Sequence, residues 1–224
     1  MVQWQDASFA LTKRQSDSAW VHNNIMTQII VIHGGRTFEN YGQYISSLKQ
    51  RAVDAGAFKT QKSWRDSLQE FLGRDFEVFN PRMPNPNNAV YEEWKIWFER
   101  AAGFLDSEVI LIGHSLGSIF LAKYLSENMF AKKIKAVFLV AAPCDAVCPG
   151  EFLTSFTLPQ LLKMFSDQVP KIYLLHSKDD PIVPFSETGK YKAALPNATV
   201  VTFEANQHFN QEFFPELVEL IKKL

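Results

Sequence analysis

Cysteine is scarce in this 224-residue chain, with only Cys144 and Cys148 present. One C-x-x-x-C pair, with no second pair and no clustered histidines, makes neither a disulfide framework nor a zinc site. The two are read as free thiols of a reducing compartment. No apolar run approaches the ~20 residues that a membrane-spanning helix needs. The longest candidate, residues 109–122, is interrupted by Gly113, His114, Ser115, Gly117 and Ser118. The first 25 residues lack the apolar core and small-residue cleavage site of a signal peptide. They are polar and aperiodic, and are expected to be an N-terminal extension, disordered or lying upstream of a true start at Met26. Neither sign of charge is in excess: 23 Lys+Arg stand against 24 Asp+Glu, a net charge of -1. That balance speaks against a dedicated nucleic-acid binder. There is no internal repeat and no low-complexity tract. A cytoplasmic protein is expected, with one domain over 26–224, no membrane span and no nucleic-acid partner.

What is present is an ordinary globular composition, 46% apolar and 21% charged, with 19 phenylalanines. A chain of this length buries enough surface to need no staple. Short β-branched runs alternate with longer amphipathic ones. Residues 27–33, 76–79, 108–112, 136–141, 171–175 and 198–203 are expected strands, and their near-continuous apolar character predicts burial on both faces of a parallel sheet. Helices are expected over 39–52, 63–72, 88–105, 116–128, 152–166, 186–195 and 210–224. This alternation predicts an α/β fold, a mostly parallel sheet of about six strands with helices on both faces. Ligands of such sheets bind at the carboxyl ends of the strands.

After the 108–112 run comes Gly113-His114-Ser115-Leu116-Gly117. A G-x-S-x-G between a strand and a helix is a nucleophile elbow. The turn is so sharp that its neighbours must be small, and the Ser115 hydroxyl then stands above the sheet at a helix start. Chance would produce the pattern roughly 0.03 times in such a chain. A nucleophilic serine needs a base, and the base needs an orienting carboxylate. Ser177-Lys178-Asp179-Asp180-Pro181 follows the 171–175 run, and Asn206-Gln207-His208-Phe209 follows the last strand. The chain order Ser115, Asp180, His208 is that of an α/β-hydrolase triad. His176 is the rival base and Asp179 the rival carboxylate. His176 immediately precedes the acidic loop and is expected to support it, and Asp180 is preferred for its D-x-x-V-P setting. Acyl transfer also needs two backbone donors for the oxyanion. Leu116, after the nucleophile, supplies one. The first strand ends in His33-Gly34-Gly35-Arg36, where glycine permits close backbone approach; Gly35 is the expected second donor, with Arg36 the alternative.

On these residues the chain resembles the α/β-hydrolase superfamily, and within it the small serine hydrolases of the RBBP9/YdeN type. The resemblance spans about residues 26–224. It is carried by the elbow, the SKDDPIVP loop, the late NQHF histidine, and Arg82-Met83-Pro84-Asn85-Pro86 followed by Trp94. It implies a compact hydrolase fold without the first strands of the full superfamily sheet, no metal and no organic cofactor. It also implies hydrolysis of small esters. Three departures stand out: the N-terminal extension, His-Gly-Gly where relatives often have Pro-Gly, and a long stretch from Tyr44 to Leu72 that predicts an added or lengthened helix near the site mouth.

Between Pro143 and Pro170 there is room only for a short cover. Phe152, Phe156, Leu161, Leu162 and Phe165 fit one apolar helix face and are expected to pack in the core, like Trp94, Trp97 and Phe98. An interfacial lipase is therefore disfavoured. The expected activity is hydrolysis of a small-molecule carboxylic ester or thioester through an acyl-enzyme, insensitive to chelators. The alternative is a non-catalytic binding protein on the same scaffold.

Overall fold

The computed structural model describes residues 26–106, 108–145 and 152–224. The N-terminal extension and Cys148 lie outside the described residues. Six strands form one sheet: β1 (Thr27–Ile32), β2 (Phe76–Phe79), β3 (Glu108–His114), β4 (Lys133–Val140), β5 (Ile172–Ser177) and β6 (Thr199–Phe203). Their order is β2-β1-β3-β4-β5-β6, and every pairing is parallel. Helices α1 (Tyr41–Gln50), α2 (Trp64–Leu72), α3 (Tyr91–Ala102), α4 (Leu116–Glu127), α5 (Lys163–Gln168), α6 (Ser186–Ala194) and α7 (Pro215–Lys222) connect them.

The period of two along each strand divides the core into two layers. Ile30, Ile32, Leu111, Val137, Leu139 and Leu174 face a layer with α3, α4 and α6, where Trp94, Phe98 and Phe120 are buried. Ile29, Val31, Ile110, Ile112, Phe138 and Val140 face the other layer, against Trp64 and Leu68 of α2 and Leu217 and Ile221 of α7. Each fully buried side chain of this size contributes roughly 1.5–3 kcal/mol relative to exposure. Helix α4 is apolar nearly all round because it is covered on all sides. The edge strand β6, by contrast, is largely exposed.

Two expectations are corrected. A single helix over 152–166 does not form: a 3₁₀ turn at Thr154–Phe156 is followed by α5, with Pro159 between them. Proline lacks the N–H that a helix interior needs, and it pushes the preceding residue toward extended backbone. Phe156, Leu162 and Phe165 are still buried, whereas Leu161 is 76% exposed and Phe152 37%. Trp97, expected in the core, is 43% exposed, unlike Trp94 and Phe98. The stretch from Tyr44 to Leu72 holds most of α1, a 3₁₀ turn at Ala55–Phe58 and α2. Helix α1 buries none of its residues.

Candidate active site

Strand β3 runs through His114, and α4 begins at Leu116. Ser115 alone makes the turn, at φ 53° and ψ −121°, a conformation costing a non-glycine residue on the order of 1–3 kcal/mol. Its N–H donates to the Val140 carbonyl at 2.8 Å, and Ser118 Oγ donates to the same oxygen at 2.9 Å. The flanking glycines are sterically required. A Cβ on Gly113 would lie 2.5 Å from the Gly117 carbonyl oxygen, and one on Gly117 would lie 2.2 Å from the Ile32 carbonyl oxygen. The elbow is thus wedged between the ends of β1 and β4.

His208 sits in a turn whose flanking residues, Gln207 (φ 47°) and Phe209 (φ 53°), are both left-handed. Several hydrogen bonds clamp this turn. Gln207 N–H donates to Asp179 Oδ1 (2.9 Å), Asn206 N–H to Ser177 Oγ (2.9 Å), and Trp64 Nε1–H to the Phe209 carbonyl (2.9 Å). His208 Nδ1 faces the Asp180 carboxylate, 2.8 Å from Oδ2 and 3.1 Å from Oδ1. A carboxylate only accepts, so Nδ1 carries the proton and Nε2 is left as the basic nitrogen. Asp180 is held in turn by the N–H groups of Ile182 (2.8 Å) and Val183 (3.0 Å), and its side chain is fully buried.

The two rivals lie elsewhere. His176, inside β5, donates Nε2–H to the Val183 carbonyl (3.0 Å) and accepts from Thr188 Oγ1 at Nδ1 (2.8 Å). It braces the acidic loop and does not line the Ser115 cavity. Asp179 accepts from Ser177 Oγ (2.5 Å) as well as from Gln207, and so braces the histidine turn without reaching the ring.

At the end of β1, His33 Nδ1–H donates to the Gly34 carbonyl (2.6 Å), while Nε2 accepts from Met83 N–H (2.8 Å). Burial, with Arg65 and Arg82 nearby, pushes its pKa down and keeps the ring neutral. In a trans peptide the N–H lies opposite the carbonyl, so the Gly35 N–H points away from the His33 ring. The Arg36 N–H is already bonded to the Pro86 carbonyl at 2.8 Å, which removes it as the alternative oxyanion donor. A Cβ on Gly35 would meet Pro86 O at 2.8 Å and Trp94 Cζ2 at 3.1 Å. Trp94 Nε1–H donates to the Pro84 carbonyl (2.8 Å). The Met83–Pro86 loop and Trp94 therefore brace the Gly34–Arg36 turn.

Ser115, His208, Gly34, Gly35, His33 and Ile182 line one cavity of about 510 Å³ at the carboxyl ends of the strands. Among the described residues no hydrogen bond joins Ser115 Oγ to His208. Such pairs are often loose before substrate binds. No group of three or more His, Cys, Asp and Glu among the described residues is arranged to hold a metal ion. Cys144 is a half-buried free thiol outside the cavity. Burial, with Glu187 and Asp145 nearby, pushes its pKa up to about 11, so it is a poor nucleophile.

The family model described as Serine hydrolase matches residues 58–216. The chain belongs to the serine hydrolase family. Among curated proteins, serine hydrolase RBBP9 of Rattus norvegicus is 26% identical over 162 residues, covering 71% of this chain and 83% of the relative. YdeN of Bacillus subtilis is 24% identical over 186 residues, covering 83% and 87%. The crystal structure of the B. subtilis ydeN gene product superposes with a TM-score of 0.65 at 18% identity, over 88% of this chain and 98% of that one, and so shares the α/β-hydrolase fold.

Sequence reasoning missed one feature of this serine hydrolase site. Arg65, in the first turn of α2, reaches the same cavity, and its Nη1 donates to His114 Nδ1 at 2.8 Å. His114 Nε2–H donates to the His208 carbonyl at 2.8 Å. The residue inside the elbow motif thus ties α2 to the His208 turn. Burial pushes the His114 pKa well down, and Arg65 adds to that. The only sequence signal was a lone arginine beside Trp64 on an amphipathic helix.

Proposed function

We propose that this serine hydrolase cleaves a small carboxylic ester or thioester through an acyl-enzyme, with Ser115 as nucleophile, His208 as base and Asp180 as the group that orients it. The observation that carries the proposal is the strained Ser115 opening onto the same cavity as His208, whose Nδ1 is held by the buried Asp180. The Ser115 proton passes to His208 Nε2 as Oγ bonds to the substrate carbonyl carbon. The imidazolium, stabilised by Asp180, returns that proton to the departing alkoxide or thiolate as the carbonyl reforms. Water then gives a proton to His208 and its oxygen to the acyl carbon; the carboxylic acid leaves and the proton returns to Ser115. The oxyanion of each tetrahedral intermediate is assigned to the N–H groups of Gly35 and Leu116. Leu116, as the first residue of α4, has an N–H with no helical acceptor, and Gly35 N–H is turned away from His33.

No helix among the described residues is long and apolar enough to cross a membrane. A cytoplasmic setting belongs to the same proposal and rests on the free-thiol reading of the cysteines.

The test is labelling with a fluorophosphonate, read by intact mass. Wild type is expected to gain one adduct, and Ser115→Ala and His208→Ala none. A folded wild type that gains no adduct overturns the hydrolytic reading and leaves the scaffold a binding protein.

A further inference from the structure

The cavity beside Ser115 is lined by three arginines, Arg36, Arg51 and Arg65, and by no carboxylate among the described residues. Asp180 lies behind His208 and is occupied by it. His33 and His114 are held neutral, so neither offers a counter-charge. Arg36 and Arg51 also line a second cavity of about 620 Å³, walled by Phe38, Ser46 and Phe152. The two cavities therefore share Arg36 and Arg51 in their walls.

Arg65 is the one of the three bonded to the elbow, through His114. It is half-buried, and among the described residues no carboxylate comes within ion-pair distance of it. The carboxylate whose charge reaches it is its exposed neighbour Asp66, which makes no hydrogen bond to it and instead accepts from the N–H and hydroxyl of Ser63 (2.9 and 2.8 Å) to cap α2. The guanidinium spends one of its five donors on His114 and leans over the Trp64 ring, 5.6 Å from its centroid. Taking such a cation out of water with only a solvent-exposed carboxylate near it, and none bonded to it, is costly, and here the open side is the substrate cavity. The nucleophile is close by. A Cβ built on Gly34 would lie 3.2 Å from Ser115 Cβ and 3.7 Å from the same His114 Nδ1 that Arg65 touches.

We infer that the site selects ester substrates carrying a second, anionic group, a carboxylate or a phosphate, a few bonds from the scissile carbonyl, and that Arg65 is the residue that binds it. The inference rests on the serine hydrolase reading of Ser115. In this picture the anion anchors on Arg65 as the carbonyl meets Ser115. Arg51 draws the substrate in at the mouth, and the leaving or acyl chain extends into the second cavity along α1.

The experiment is equilibrium binding to Ser115→Ala, which removes turnover from the readout. Monomethyl glutarate is compared by calorimetry with methyl pentanoate, its neutral counterpart, and with methyl 4-phosphonobutanoate. An anionic ester is expected to bind at least about ten-fold tighter than the neutral one, the scale of one charge-assisted pair, with the preference shrinking as salt is raised. A second substitution, Arg65→Met, is expected to bring the ratio of anionic to neutral affinity to near unity, and Arg65→Lys to retain part of it. A merely structural arginine would weaken both ligands alike and leave the ratio unmoved. Tighter binding of the phosphonate assigns the natural group to phosphate, and tighter binding of the glutarate monoester assigns it to carboxylate. Equal binding of all three, or a preference that survives Arg65→Met, overturns the inference. Fluorophosphonate labelling of wild type separates the two failures: a labelled serine without anion preference leaves the hydrolase standing, whereas an unlabelled serine removes the hydrolase itself.

Discussion

Replacing Asp180 by asparagine changes one atom in a fully buried side chain, and the surrounding hydrogen bonds dictate which one. Oδ1 accepts from two backbone donors, Ile182 N–H at 2.8 Å and Val183 N–H at 3.0 Å. The introduced amide must keep its oxygen there, because the reverse orientation would set NH₂ against two N–H groups and cost about 1–3 kcal/mol for each unmet donor. The NH₂ then takes the place of Oδ2, now 2.8 Å from His208 Nδ1. A donor facing Nδ1 forces that nitrogen to accept, so the histidine proton moves to Nε2, the atom proposed to take the proton from Ser115. The geometry survives and the tautomer is wrong. A loss of about 10,000-fold in turnover is expected at neutral pH, as for other triads disabled this way. The assay is the second-order rate of fluorophosphonate labelling beside ester hydrolysis, with melting temperature as the control for folding. Asp179→Asn is the comparison, since its retained oxygen still serves Ser177 and Gln207. It should stay close to wild type. An Asp180→Asn protein that labels within about ten-fold of wild type, or an Asp179 variant that loses as much, would refute the assignment of the two carboxylates.

Gly117→Ala should destabilise by about 3 kcal/mol or more, since its methyl would press on backbone atoms that cannot rotate away, among them Ile32 O at 2.2 Å. Gly189→Ala, in α6 with nothing within 4 Å of its Cβ, should stabilise by about 0.5–1 kcal/mol. Chemical denaturation of the two variants side by side checks both signs. Stability should also fall between pH 7 and pH 5. Burial lowers the pKa of His33, His114 and His176 in the fold, so below about 6.5 the unfolded chain takes up protons that the native one refuses. Their contribution is complete above that pH and shrinks as pH drops toward the depressed native values. A melting temperature that is flat or rises on acidification would contradict this.

Much of the architecture was readable along the chain because strands buried on both faces leave continuous β-branched runs, as Ile29–Ile32 and Val109–Ile112 do. Strand ends were less legible. β5 extends through His176 and Ser177 because pairing to β6 continues there, which apolar character alone does not reveal. The broken helix after Phe152 was written in the sequence as Pro159, but the apolar spacing of its neighbours favoured a continuous helix. At the site, the elbow, the acidic loop and the late histidine were visible because each is a local motif. The hydrogen bond from Arg36 N–H to Pro86, fifty residues away in sequence, was not, and it bears on which of Gly35 and Arg36 has a free N–H to offer.

The candidate reactive groups and their chain order were thus decided locally. A serine between glycines, an aspartate before proline and a histidine after the last strand carry their chemistry in their own side chains and immediate backbone. The surroundings of those groups were decided only by folding. Packing α2 over the end of β3 sets Arg65 against His114 and Trp64 against the His208 turn, and the loop after α1 brings Arg51 to the same cavity. No short-range pattern marks these contacts, because each joins residues far apart in the chain whose meeting depends on the register and twist of the sheet. The elbow is therefore legible in five consecutive residues, while the arginines that line its cavity are brought together only by the fold.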